Sequence, residues 1–161
     1  MTKNEYYEIV MDNYRPAEKL IGMVPADKLN WQPGPTFMSA GQVICHLGGG
    51  VGTGLEWLLG GKLPSMEEMA EGLKLQNLPS CSLQEALDKL EKDKQILRQV
   101  LDGVSEEDFT NKVVSAPWGM SAKMERMAIG FLGHFNNHKM QLFTYLKLLG
   151  LPVDTQTLYG M

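Results

Sequence analysis

The chain has 161 residues, of which 43% are hydrophobic and 21% charged, and its formal net charge is −4. This composition predicts one domain over residues 1–161 with a substantial core. The acidic balance and the lack of clustered Lys and Arg exclude a nucleic-acid surface, and no stretch approaches the roughly 20 apolar residues that cross a bilayer. We therefore expect a cytoplasmic protein that binds neither nucleic acid nor membrane.

The cysteine content fits this expectation. Cys45 and Cys81 are the only two cysteines and lie far apart in the chain, which is too few and too scattered for a disulfide framework. Cys45 also falls within a helical pattern, where a core position is favoured over a nucleophile. Both side chains are expected to be reduced thiols.

A capping box and a helical repeat predict the first helix. Thr2 is followed three residues later by Glu5, and apolar residues then recur at helical spacing, at Tyr6, Val10, Tyr14, Ala17, Ile21 and Val24. Pro16 should kink or split this helix, because proline removes a backbone donor and clashes with the preceding turn. Pro25 ends the helix and opens a loop over residues 25–35 that contains at most one helical turn.

The second helix is predicted to begin at a capping box formed by Ser39 and Gln42. Its inward face carries Val43, His46, Leu47, Gly50, Gly54, Trp57 and Leu58. Each glycine inside a helix costs about 0.8 to 1 kcal/mol relative to alanine, and residues 48–54 of this helix include five of them, Gly48, Gly49, Gly50, Gly52 and Gly54. Their spacing matches no phosphate-binding loop. Close helix packing, a break in the helix and open volume beside His46 are the alternatives, and they are compatible.

The remaining chain predicts a long connection and two more helices. Residues 60–81 mix Gly, Pro and Ser and form a crossover. Ser82 and Glu85 make a third capping box, which begins the third helix. Leucines repeat on the inward face of this helix, and its charged residues form a solvated face. A loop over residues 111–121 then leads to Ser121, the predicted N-cap of the last helix. Four main helices and no convincing strand pattern predict an all-α four-helix bundle with a long connection between helices 2 and 3.

The last helix, which ends near Gly150, carries two histidines on its predicted inward face. That face consists of Met127, Phe131, His134, His138, Leu142, Tyr145 and Leu149. Because His134 and His138 are four residues apart, their Cβ atoms lie about 6 Å apart on one helix face. Both rings could therefore reach one ion. His46, the third and last histidine, lies on the inward face of the second helix. Buried imidazoles need partners, which are either a shared metal ion or separate hydroxyl and carbonyl groups.

Several segments together resemble the DinB superfamily, which includes the YfiT-like proteins. They are LNWQPGP, SAGQVICHL with His46, HFNNHKMQLFTYLKLLGLPV with its HxxxHxxQ spacing, and the closing LYG. The resemblance covers nearly the whole chain. It implies a four-helix bundle that carries a divalent metal ion on His46, His134 and His138 and that forms a homodimer. Zinc or nickel is the expected ion, with copper, iron or manganese as alternatives.

Three neutral imidazoles would leave the ion its double charge and at least one open position, as in catalytic sites. A low-molecular-weight thiol could bind there as a thiolate and attack an electrophilic small-molecule substrate, and the resemblance favours this thiol-transferase chemistry. A bound water with its pKa lowered toward about 7 could instead attack an ester or amide. No carboxylate lies on the His134 face to act as base, and Glu56 points away from His46. The third alternative is a non-catalytic protein that binds a metal or a small ligand.

Two further residues are predicted to contact the cofactor or substrate. Gln141 lies one heptad after His134, which suits a hydrogen bond to a ligand imidazole or to the substrate, although a polar residue at the helix rim fits equally well. Trp118 lies in the loop before the last helix and could line the mouth of the pocket together with Trp57 and Met120. Core or lid packing is the alternative for all three.

Overall fold

The computed structural model describes residues 1–161 and contains four long helical segments, short helices between them and one hairpin. In chain order the elements are α1 (Lys3–Gly22), α2 (Ala40–Gly48), α3 (Val51–Leu59), α4 (Met66–Gly72), α5 (Leu83–Asp102), α6 (Glu106–Asn111), β1 (Val113–Ser115), β2 (Ser121–Lys123), α7 (Met124–Leu148) and α8 (Thr155–Tyr159). α1, the α2–α3 pair, α5 and α7 pack on one another, which confirms the predicted helical-bundle fold. None of the helices combines the length and apolar composition that crossing a membrane requires.

The long helices begin where the sequence predicts. Both reciprocal hydrogen bonds form at all three predicted capping boxes, Thr2–Glu5, Ser39–Gln42 and Ser82–Glu85. The crossover over residues 60–81 contains a further box, in which Ser65 and Glu68 begin α4. Pro16 is buried within α1, which continues past it as one helix rather than splitting.

The predicted second helix is in fact two helices, α2 and α3. The break lies at Gly50, whose φ of 28° is a conformation that favours glycine. The first N–H groups of α3 have no partner within α2. Those of Gly52 and Thr53 donate instead to the carboxylate of Asp93 on α5, at 2.8 Å and 2.7 Å.

The charge of Asp93 is buried, which corrects the prediction that the charges of the third helix are all solvated. Its side chain is 1% exposed. The hydroxyl groups of Tyr14 and Thr53 also donate to it, at 2.5 Å and 2.6 Å. The Tyr14 oxygen in turn accepts from the N–H of Val51 at 2.6 Å. Asp93 therefore caps the N-terminus of α3 from a neighbouring helix, where a negative charge is also favoured by the helix dipole.

Two of the glycines allow α5 to approach α2 and α3 closely. A Cβ atom at Gly48 would lie 2.9 Å from the carbonyl oxygen of Ala86, and one at Gly52 would lie 2.7 Å from the backbone nitrogen of Leu97. These separations leave no room for a side chain. The glycine-rich stretch thus serves both close packing and a helix break, two of the roles that the sequence left open.

Residues 113–123 form a hairpin, so the prediction of a loop ending at an N-cap on Ser121 is wrong. The antiparallel pairs are Val113–Lys123, Val114–Ala122 and Ser115–Ser121. α7 follows β2 directly, with Lys123 in the N-cap position and no side-chain cap. Strands of three residues are too short for alternation to distinguish them from a loop.

Cys45 and Cys81 form a disulfide, so the prediction of reduced thiols is also wrong. Their Cα atoms lie 4.9 Å apart although 36 positions separate them in the chain. The N–H of Cys81 donates to the carbonyl of Gly41 at 3.1 Å, which holds the end of the crossover against α2. Disulfide formation depends on this proximity, and the spacing of the cysteines in the sequence carries no sign of it.

Candidate metal centre

The three histidines meet where α2 packs against α7. The ring nitrogens that His46, His134 and His138 could offer to an ion all lie within 4.8 Å of one another. The Nε2 atoms of His46 and His134 are 2.8 Å apart, and the ring of His138 lies 4.3 Å from that of His46 between centroids. The fold therefore brings together all three histidines of the chain.

The cluster lies at the edge of the core rather than inside it, which corrects the prediction that the three imidazoles are buried. His46 and His138 are partly exposed, and His134 is exposed. The buried face of α7 is formed by Met124, Met127, Ala128, Phe135, Lys139, Leu142, Phe143, Tyr145 and Leu146. Phe131 and Leu149, expected on that face, are only partly buried. This position gives solvent and small molecules access to the imidazoles.

The surroundings of His46 and His134 favour the neutral form of both imidazoles. Burial is the main cause that lowers the pKa of His46 to about 4, and the charges of His138, His134 and Lys89 lower it further. Desolvation also lowers the pKa of His134, whose ring nitrogens face the other imidazoles, with a smaller effect from His138. Neutral imidazole is the form that binds a metal ion.

The metal-free protein is expected to lose folding stability as the pH falls from about 6.5 toward 4. His46 has an ordinary pKa of 6.5 and a pKa of about 4 in the folded protein. In this window the unfolded chain takes up a proton that the folded protein does not, so acid favours unfolding. Urea unfolding between about pH 7 and about pH 4 with a chelator present measures the slope. His46→Asn should flatten it, and an unchanged slope in that variant would contradict this assignment.

Gln141 hydrogen-bonds to Nδ1 of His138, which leaves Nε2 as the nitrogen that could bind an ion. The Nδ1 atom of His138 lies 2.9 Å from Oε1 of Gln141. The Nε2 of Gln141 donates to the hydroxyl of Tyr145 at 3.0 Å, and that hydroxyl donates to the carbonyl of Met38 at 2.9 Å. Sequence reasoning assigned Tyr145 to the core alone. Its spacing of four residues from Gln141, which places the two on one helix face, was the available signal.

The tryptophans predicted at the pocket mouth make no aromatic contact with the imidazoles. Trp118 is in the turn of the hairpin and is 39% exposed, and the aromatic contacts of the three imidazoles are with one another. Trp57, expected on the inward face of its helix, is exposed, as is Met120. A contact between Trp118 and a bound molecule stays a prediction.

The donor set fits a divalent ion. Two nitrogens held 2.0–2.1 Å from one tetrahedral ion are about 3.3 Å apart. This value falls between the 2.8 Å separation of the His46 and His134 nitrogens and the 4.8 Å limit of the whole cluster. Fold and cluster together define a class of protein, a helical bundle with a three-histidine site that could hold a metal ion.

The chain belongs to the DinB superfamily, whose family model matches residues 12–142. This match confirms the resemblance seen in the sequence. It also agrees with the histidine cluster, since residues 12–142 include all three imidazoles and Gln141.

Two solved structures share the fold. One is from Exiguobacterium sibiricum 255-15 and is assigned provisionally to the DinB family, with a TM-score of 0.70 and 18% identity over 96% of each chain. The other is a DinB-like protein from Bacillus cereus ATCC 10987, with a TM-score of 0.73 and 16% identity over 95% of this chain and 96% of that one. At these identities the likeness concerns the fold alone. No curated protein matches the chain significantly.

Proposed function

We propose that the protein is a metal-dependent thiol S-transferase that holds a divalent ion, zinc or nickel, on His46, His134 and His138. One observation carries the proposal. The group of potential ligands consists of imidazoles alone, without a carboxylate or thiolate. The protein therefore contributes no negative charge to the ion, and an anionic sulfur ligand supplied by a small molecule would be favoured there.

When bound, such an ion lowers the pKa of a coordinated thiol. The sulfur of a low-molecular-weight thiol then bonds to an electrophilic carbon of the substrate, whose leaving group departs with its electron pair, and the thiol proton passes to solvent. No protein base is required for this step. A mechanism without a protein base agrees with the position of Glu56, the carboxylate that the sequence offered as the nearest candidate, which is exposed on α3.

The residues around the cluster have separate roles in this proposal. His46 and His134 stay neutral because their pKa values are lowered, so they remain able to bind the ion. Gln141 holds the ring of His138 through Nδ1. The exposed position of His134 leaves a route for thiol and substrate. We also propose that the protein is a cytoplasmic homodimer.

The experiment is an assay of metal-loaded protein with an electrophilic chloronitrobenzene dye and a panel of low-molecular-weight thiols. We expect thiol-dependent turnover that is lost in His138→Ala and kept in Asn137→Ala, an exposed neighbour on the same helix. A parallel assay uses activated esters. Thiol-independent ester cleavage would replace the proposal with a hydrolase, and no turnover in either assay would replace it with a binding protein.

A further inference from the structure

Three hydrogen bonds connect His138 to a backbone carbonyl in another part of the chain. They run from His138 to Gln141, from Gln141 to Tyr145 and from Tyr145 to Met38, at 2.9, 3.0 and 2.9 Å. His138, Gln141 and Tyr145 lie on α7, whereas Met38 lies in the loop before α2. The series therefore ends at an atom outside α7.

The direction of each hydrogen bond follows from this end point. The carbonyl oxygen of Met38 can only accept, so the single phenolic hydrogen of Tyr145 must point toward it. The Tyr145 oxygen can then only accept from Gln141, which turns the amide NH₂ toward Tyr145 and Oε1 toward His138. Because Oε1 can only accept, Nδ1 of His138 must carry the hydrogen.

A neutral imidazole with its hydrogen on Nδ1 has its free electron pair on Nε2. We propose that Tyr145 is a positioning residue that selects this tautomer and thereby presents Nε2 of His138 to the metal ion, a role that rests on the metal site proposed above. Tyr145 does not touch the ion or the substrate. It acts through Gln141, by allowing only one orientation of that amide.

Packing holds the Tyr145 ring in place. The side chain is 2% exposed, and the ring of Trp31 meets it edge-on with centroids 5.4 Å apart. Trp31 is itself held to α2, because its carbonyl accepts from the N–H of Ala40 at 2.9 Å. The loop that contains Trp31 and Met38 thus determines both the position of the phenol ring and the direction of its hydroxyl.

The test compares Tyr145→Phe with Tyr6→Phe. Tyr6 is also buried, and its hydroxyl donates to the carbonyl of Ala128 at 2.7 Å, so each variant loses one buried hydroxyl that binds a backbone carbonyl. The first readout is the ring-nitrogen NMR shifts of His138 in metal-free protein. The second is Zn²⁺ affinity, measured by competition with a chelator.

We expect a single Nδ1–H tautomer of His138 in the wild type and a mixture of tautomers in Tyr145→Phe. The Zn²⁺ affinity of the variant should fall roughly 10-fold, the lower end of the range for substitutions of residues that orient a metal-binding side chain. Tyr6→Phe should match the wild type in both readouts. If Tyr145→Phe does not fold, Gln141→Met breaks the same series one link closer to His138 and must produce the mixture.

An Nε2–H tautomer in the wild type, or an unchanged tautomer in the variants, would overturn the proposal. The NMR readout needs no metal, so it is independent of the proposed function. A wild-type protein that binds no Zn²⁺ would remove the metal site but leave the selection of the tautomer to be decided by the NMR result.

Discussion

Replacing His138 with alanine is expected to weaken Zn²⁺ binding by more than about 100-fold. This loss exceeds the roughly 10- to 100-fold effect of substituting a residue that only hydrogen-bonds to a metal-binding side chain. The variant loses one of the three nitrogens that converge within 4.8 Å, and the chain has no other histidine to replace it. His46→Ala and His134→Ala should have effects of the same size. Competition with a chromophoric chelator measures the affinities, and elemental analysis of purified protein measures the metal content.

Asn137→Ala is the matched control for this series, because Asn137 is exposed and adjacent to His138 on α7. It should bind Zn²⁺ as the wild type does. His138 is itself only partly buried, so its truncation should leave the helical circular dichroism unchanged. Equal metal content in the wild type and in the variant with all three histidines replaced by alanine would refute the site.

Replacing Asp93 with alanine is expected to lower the free energy of unfolding by about 4 kcal/mol. The carboxylate accepts hydrogen bonds from Tyr14, from the N–H of Gly52 and from both the N–H and the hydroxyl of Thr53. Each buried donor left without a partner costs about 1–3 kcal/mol, and loss of the cap of α3 adds to this. Urea unfolding at neutral pH measures the change.

Asp88→Ala is the control for Asp93→Ala. Asp88 is on the same helix but exposed, where it accepts from the side chain of Gln84. Its loss should change the free energy of unfolding by less than about 0.5 kcal/mol. Asp93→Asn should fall between the two alanine variants, since one amide oxygen keeps some of the acceptor capacity. A loss below about 1 kcal/mol in Asp93→Ala would show that the α3 cap contributes little.

The sequence by itself determined the features that arise within one or two helical turns. The capping boxes at Thr2, Ser39 and Ser82 depend on residues three apart, and each forms as predicted. The pairing of His134 with His138 depends on a separation of four. Such interactions need only the local helix, whose geometry is known before the chain folds.

The tertiary structure decided everything that depends on contacts between distant segments. In the sequence, Asp93 is one of several charged residues on a helix face predicted to be solvated. Only the break at Gly50 places the unpaired N–H groups of α3 beside its carboxylate. Cys45 and Cys81 meet because the crossover returns to α2.

The candidate site divides in the same way. Spacing predicted that His134, His138 and Gln141 lie near one helix face, whereas their meeting with His46 at the edge of the core follows from how α2 packs on α7. The link from Tyr145 to Met38 joins residues 107 positions apart. Periodicity describes one helix at a time, so it identifies which side chains share a face, but only the packed chain determines which groups meet that face.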